Sequence, residues 1–312
     1  MVVWNGSEFV LENNILPGSE DKERDQLMVE DLYKLENNPE PEDGFYKIRI
    51  SEFEQEGSYF EDFKLLKIDH SEEVDVGVID GDIVAYKNIK KPDRFIVDGK
   101  DMMTGEIIER KEGQDACLVF DQLDSSKNIL ITKGALRSGD RRIEKISNFL
   151  KNNNTTKVDE FTKKALLVTT ALLTAGTAVA GVCGSHALIE YKCSIHFYIN
   201  GKNGKQVAIS HPREIMSLNL IDIKRFAKNN KKLKVKMEWT DTHKFMPVGV
   251  AERVSVSSLD TEELKPQKIT HSDGVDKMKL SPGETLTIDF PTGKSCENST
   301  LLLKSRGYYE RI

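Results

Sequence analysis

Runs in which every second residue is apolar recur along this chain, and they restrict it to a fold built on strands. Tyr46, Ile48 and Ile50 alternate with Lys47, Arg49 and Ser51. Val74, Val76 and Val78 alternate again, reach Asp80-Gly81, and are followed by Ile83 and Ala85. Successive side chains of a strand point to opposite faces, so this period marks a half-buried strand. Asp-Gly between two such runs predicts a tight hairpin, because both central residues of that turn need positive φ. Residues 63–68, 118–123 and 129–132 read as further short strands. Period two returns late in the chain. Tyr191, Cys193, Ile195, Phe197 and Ile199 form one run, and Leu233, Val235, Met237 and Trp239 another. Short apolar runs at 207–209, 245–250, 254–256, 286–290 and 301–303 complete this region, with Asn200-Gly201 and Pro282-Gly283 as turns.

Helical spacing is confined to a few places. Leu27, Met28, Leu32 and Leu35 predict a short helix over residues 25–35. Ile143, Ile146, Phe149 and Leu150 predict another, with Asp140 as its cap, and a further helix is expected from Lys157. Residues 165–189 carry no Asp, Glu, Lys or Arg, which is length enough to cross a bilayer. Lys163 and Lys164 precede the stretch as a cytoplasmic flank would. Its threonines and glycines, and its lack of Trp and Phe, suit a buried helix between domains equally well. Both readings stay open. The expected fold is mostly β, with two β-sandwich-like domains joined by a helical segment. The expected divisions are a polar N-terminal extension (1–44), a first sandwich (45–138), a helical connector (139–189) and a second sandwich (190–312).

Charge is distributed unevenly. Residues 1–82 hold 23 acids and 7 bases, a net of -16, while the remainder holds 28 acids and 38 bases, a net of +10. Such asymmetry predicts either docking of the acidic third on the basic later region or an acidic face turned to a cationic partner. A total of -6 argues against a general nucleic-acid binder. Seven bases fall within 224–236, namely Lys224, Arg225, Lys228, Lys231, Lys232, Lys234 and Lys236. Phe226 is the one aromatic among them, so no stacking platform for single strands is visible. Phosphates, anionic headgroups or the chain's own acids are the ligands such a stretch suits.

Catalytic signatures are missing. The six histidines show no HxxxH, HExxH or HxH spacing, and Cys117, Cys183, Cys193 and Cys296 show no CxxC. Reduced, mostly buried thiols are expected. Asp69-His70 and Asp241-Thr242-His243 place an acid beside an imidazole at strand ends, and His211-Pro212 reads as a strand exit. Asn200-Gly201-Lys202-Asn203-Gly204-Lys205 lacks the phosphate-loop register and reads as a hairpin. Calcium is the one ion that the acidic turns at Glu40, Glu42, Asp43, Asp80 and Asp82 suggest, although no DxDxDG loop occurs. No other cofactor is expected. The first residues lack a basic region and a long apolar core, so no secretory signal is read there, and the chain is expected to be cytosolic or to start inside a precursor. Four sequons (at Asn5, Asn153, Asn154 and Asn298) point outward, and a cell-surface or membrane-associated setting is slightly favoured.

The segment from Tyr59 to His70, with Tyr59-Phe60-Glu61 leading to Leu65 and Asp69-His70, resembles β-sandwich modules of uncharacterised surface proteins in which Asp-His-Pro closes the pattern. Ser71 stands here in place of the proline. The likeness spans residues 45–135 and implies an accessory or interaction role. The function expected is therefore that of a non-enzymatic binding or structural protein with a protein or carbohydrate partner. Lys224, Arg225, Lys228, Lys231, Lys232 and His243 are its candidate contact residues. The rival expectations are a single-span membrane protein with β domains on both sides, and a hydrolase or metal-dependent enzyme with a dispersed site.

Overall fold

The computed structural model describes residues 1–15, 28–52, 56–136, 194–199, 205–210, 212–213, 215–227, 232–272, 278–294 and 298–311. Within them the chain is mostly β, in antiparallel sheets. Two compact units emerge. The described residues of unit 1 come from Met1–Asp69 and Asp260–Ile312, and those of unit 2 from His70–Gly139 and Ser185–Leu259.

Unit 1 has two sheets. Sheet A runs in the order β19 (Lys268–His271), β21 (Thr285–Pro291), β4 (Phe45–Ser51), β1 (Val2–Trp4), β2 (Phe9–Leu11). Sheet B runs β18 (Asp260–Leu264), β5 (Glu56–Asp69), β22 (Ser299–Arg311), β3 (Val29–Lys34), with β20 (Lys279–Leu280) also on β5. The alternation expected at Tyr46, Ile48 and Ile50 is realised in β4, whose three apolar residues are buried while Lys47 and Arg49 face outward. Ile48, Ile50, Leu286, Ile288 and Phe290 of sheet A share one core with Phe63, Leu65, Leu303 and Leu264 of sheet B. Full burial of each such side chain contributes about 1.5–3 kcal/mol.

Unit 2 repeats the two-sheet scheme with a difference. Sheet C runs β14 (Lys205–Ser210), β13 (Ile195–Ile199), β16 (Lys232–Trp239), β11 (Asp115–Asp121), β8 (Arg94–Val97), β9 (Lys100–Met102). Sheet D runs β15 (Ser217–Asp222), β12 (Lys127–Leu136), β17 (His243–Val254), β7 (Asp82–Lys90), β6 (Val74–Ile79), with β10 (Ile108–Arg110) on β17. Leu233, Val235, Met237 and Trp239 lie on one buried face of sheet C and pack with Leu130, Phe245 and Val250 of sheet D. The opposite face of sheet D is buried as well, under Val84, Tyr86, Ile129, Ile131, Leu220 and Ala251. Sheet D curls until its outer strands approach: a Cβ on Gly77 of β6 would stand 2.3 Å from Leu220 Cδ1 of β15. This curl is why β12 is apolar on both faces, with buried Ile129 and Ile131 on one side and Leu130 on the other.

The structure departs from sequence expectation in three places. Residues 29–34 form β3, not a helix, because they pair along β22 from Gly307↔Val29 to Leu302↔Lys34. Ladder pairing overrides a helical spacing of only four apolar residues. The stretch 1–44 contains β1, β2 and β3, whose first two members are too short at three residues each to show a period. Pairing also crosses the expected boundaries, since β4 joins β21 and β5 joins β22, while β10, β11 and β12 join strands from beyond residue 194. The α-helix among the described residues is α1 (Lys224–Ala227). The helices expected at 143–150, from Lys157 and over 165–189 lie outside the described residues. Among the described residues no helix is long and apolar enough to cross a membrane.

Candidate functional site

The expected basic cluster does not assemble into one described surface. Lys224 and Arg225 open α1, whose first N–H, that of Lys224, donates to Asp222 Oδ1 at 2.8 Å. Lys228 and Lys231 lie outside the described residues. Lys232 pairs with Asp121 at 2.7 Å, and Lys236 with Asp115 at 3.0 Å and Glu238 at 2.6 Å. The β11–β16 register sets Asp121 opposite Lys232, while Lys236, opposite Cys117, reaches diagonally to Asp115 and along its own strand to Glu238, so neighbouring acids neutralise both bases. Acids of the first third pair instead with the last strand: Glu30 with Lys304 at 2.9 Å and Glu61 with Arg306 at 3.0 Å.

His243 is fully buried at the start of β17, its Nδ1 3.0 Å from the Asp241 carbonyl oxygen, and so stands away from the surface expected for it. His70 lies 3.0 Å from the Ser71 carbonyl oxygen. The closest approach to a nucleophile–base pair is Ser194 Oγ, 2.9 Å from His196 Nε2 and 3.1 Å from Thr240 Oγ1. Both Ser194 and His196 are buried. Ser194 N–H also donates to Thr240 Oγ1 at 3.0 Å, so this network ties β13 to the end of β16. The acidic turns belong to two units. Glu42 holds Lys47, while Asp43 and Asp80 occupy positive-φ turn positions in different units. Among the described residues no three His, Cys, Asp or Glu side chains are placed to hold a metal ion. Cys117 is a free thiol on β11, and burial pushes its pKa up; the other three cysteines lie outside the described residues.

Hollows lie on the described surface of both units. In unit 2, a groove of about 340 Å³ lies beside β14, β15 and the end of β6, with Ser210 Oγ–H donating to Asn219 Oδ1 at 3.1 Å. In unit 1, a hollow of about 390 Å³ lies on the outer face of sheet A. Its floor is a grid of polar side chains set by strand register. One cross-strand row holds Arg49, Thr287 and Thr270, and the next holds Lys47, Asp289 and Lys268. Outward positions of β4, β21 and β19 supply both rows because the inward ones are taken by the core.

Arg49 is the distinctive group. Its guanidinium lies over the Phe9 ring, 3.9 Å from the centroid, and Trp4 supports Phe9 edge-on with centroids 5.3 Å apart. Burial pulls the Arg49 pKa below its ordinary value. Among the described residues, no carboxylate forms an ion pair with Arg49 or Lys268, whereas Lys47 is held by Glu42. The hydrogen bond that Lys47 donates to Glu42 raises the Lys47 pKa. Asp289 lines the same hollow, and its Oδ1 is buried without a hydrogen-bond partner among the described residues. The hollow therefore gathers half-buried Arg49, Lys47 and Lys268, the carboxylates of Glu42 and Asp289, and two threonine hydroxyls. No part of it was singled out from the sequence; alternation made Arg49 outward-facing, but the partners on β19 and β21 come from residues more than 200 positions away. No known family model, curated protein or solved structure matches the chain.

Proposed function

We propose that the chain is a non-enzymatic binding protein built from two β-sandwich-like domains, and that it takes an anionic ligand on the outer face of sheet A. The carrying observation is Arg49, half-buried on Phe9 in a hollow and not paired with any carboxylate among the described residues. Desolvating a guanidinium without an internal anion is costly. An external anion recovers that cost, and it does so most strongly where water is partly excluded. The stacking on Phe9 adds preorganisation, since the cation waits in one orientation. The likeness of Tyr59 to His70 to accessory sandwich modules supports the same class of role.

The test is calorimetric titration of the full chain with anionic and neutral oligosaccharides, acidic peptide and sulfate. At least one anion should bind, and Arg49→Met should weaken it about tenfold or more, the usual scale for a hydrogen bond to a charged group. Anion binding that is unchanged by Arg49→Met would overturn the reading.

A further inference from the structure

We infer that the ligand of this face is an acidic sugar, a uronate whose carboxylate sits on Arg49 while a ring hydroxyl donates to Asp289. The inference rests on the binding role proposed above and specifies its ligand. Arg49 gives the first half of the argument. The guanidinium carbon lies over the Phe9 ring, and the group carries its five N–H donors in one plane. A planar fork of this kind matches a carboxylate bidentately, and Arg serves such recognition better than Lys.

Asp289 gives the second half. A carboxylate accepts and cannot donate, so whatever satisfies it must bring an O–H or N–H. Asp289 lines the hollow, where its carboxylate can accept from a ligand. Asp289 is two residues along β21 from Thr287, the cross-strand neighbour of Arg49. That is about 7 Å along the strand. The ligand must then present an anion at one end and a donor at the other, on a rigid body. A uronate ring has that arrangement. A sulfate dianion offers no donor, and Asp289 repels it. Thr270 and Thr287 give and accept hydrogen bonds, as a polyhydroxylated ligand requires. An extended acidic peptide would call for open apolar side-chain pockets, and here the one aromatic ring, Phe9, is 8% exposed beneath Arg49.

The experiment uses the full chain and calorimetric titration with trigalacturonate, its methyl ester, a neutral galactose trimer, a glutamate-rich peptide and sulfate. The expected order is trigalacturonate first, with the methyl ester at least about tenfold weaker. Arg49→Met should remove that preference, and Arg49→Lys, which keeps the charge, should recover it only in part. Asp289→Ala is the discriminating variant. It should weaken trigalacturonate and strengthen sulfate, because it removes an acceptor from the first and a repulsion from the second. If sulfate or the peptide binds as tightly as trigalacturonate, or if Asp289→Ala tightens both anions while Arg49→Met still abolishes binding, the sugar is refuted and the anion-binding role stands. If no anion binds, or Arg49→Met and Arg49→Lys both leave binding unchanged in folded protein, the binding role itself falls.

Discussion

Replacing Trp239 with alanine should remove a large part of the stability of unit 2. The indole is 2% exposed, at the end of β16. It meets Phe245 of sheet D edge to face, with centroids 5.7 Å apart, so it joins the two sheets. Truncating a buried aromatic residue to alanine costs about 3–5 kcal/mol through lost transfer energy and the cavity left behind. The edge-to-face pair accounts for about 0.5–1.5 kcal/mol of that. One feature acts in the other direction. Trp239 Nε1 is buried with no hydrogen-bond partner among the described residues, and an unmet donor costs about 1–3 kcal/mol. Trp239→Phe loses ring volume but also deletes this donor, so its net cost should stay under about 2 kcal/mol. Urea unfolding followed by far-UV circular dichroism separates the two. With a slope of about 1–3 kcal/mol per molar, the alanine variant should shift its midpoint by roughly 1 M or more, and the phenylalanine variant by much less. Equal shifts for the two variants would refute the part of the reasoning that concerns the donor. An alanine variant with an unmoved midpoint would refute the burial argument as a whole.

Three shorter predictions concern other sites. Gly249→Ala would bring a Cβ to 2.4 Å from the Lys90 carbonyl oxygen, a backbone atom that cannot swing aside; thermal unfolding should register a loss of about 1–3 kcal/mol, and an unchanged Tm would count against the close packing of β17 on β7. Glu12 is buried and accepts from Tyr33 Oη at 2.8 Å, the Glu36 N–H at 2.6 Å and the Asn37 N–H at 3.0 Å. Burial raises its pKa, and those hydrogen bonds oppose the rise. A raised folded-state pKa means the folded state holds the proton longer. The resulting stabilisation is complete below the unfolded value of about 4.3 and lost as pH rises through the folded one. Glu12→Gln should flatten that decline in a pH series of unfolding free energies, and an identical slope in both proteins would contradict it. Cys117, its thiol pKa raised by burial, should be alkylated more slowly near neutral pH than a free cysteine; site-resolved mass spectrometry showing equal rates would refute this.

Strand content was legible wherever a strand has one wet face and enough length to show it. Residues 46–50 and 233–239 carry a period of two because each outward residue meets solvent or a charge, and each inward one meets the core. The Asp80-Gly81 turn was legible for a different reason. Its two residues adopt φ of 51° and 84°, a pair of values that few other dipeptides tolerate. Partner choice was not legible. A strand's own pattern says which face is buried and nothing about which strand lies beside it. For this reason β4 and β5 could be read as strands while their pairing with β21 and β22, over 200 residues away, stayed hidden. β12 was read from its apolar run, yet its burial on both faces follows from the curl of sheet D, which no local pattern encodes.

The same physics hid the hollow on sheet A. On a helix, three polar residues that share a site sit at fixed offsets of three and four, so sequence inspection can find them. On a sheet, residues that share a site come from neighbouring strands, and their spacing in sequence depends on topology alone. Arg49, Thr287 and Thr270 form one row because β4, β21 and β19 are adjacent. In sequence they look like an ordinary outward Arg on one strand and outward threonines on two others. By contrast, the basic stretch at 224–236 drew attention because its charges are contiguous, yet Lys232 and Lys236 are answered by acids across the ladder. Contiguity of charge is visible in a sequence, whereas its neutralisation across strands is not. The informative cation in a β protein is the one that the register leaves unanswered. On the outer face of sheet A, that residue is Arg49.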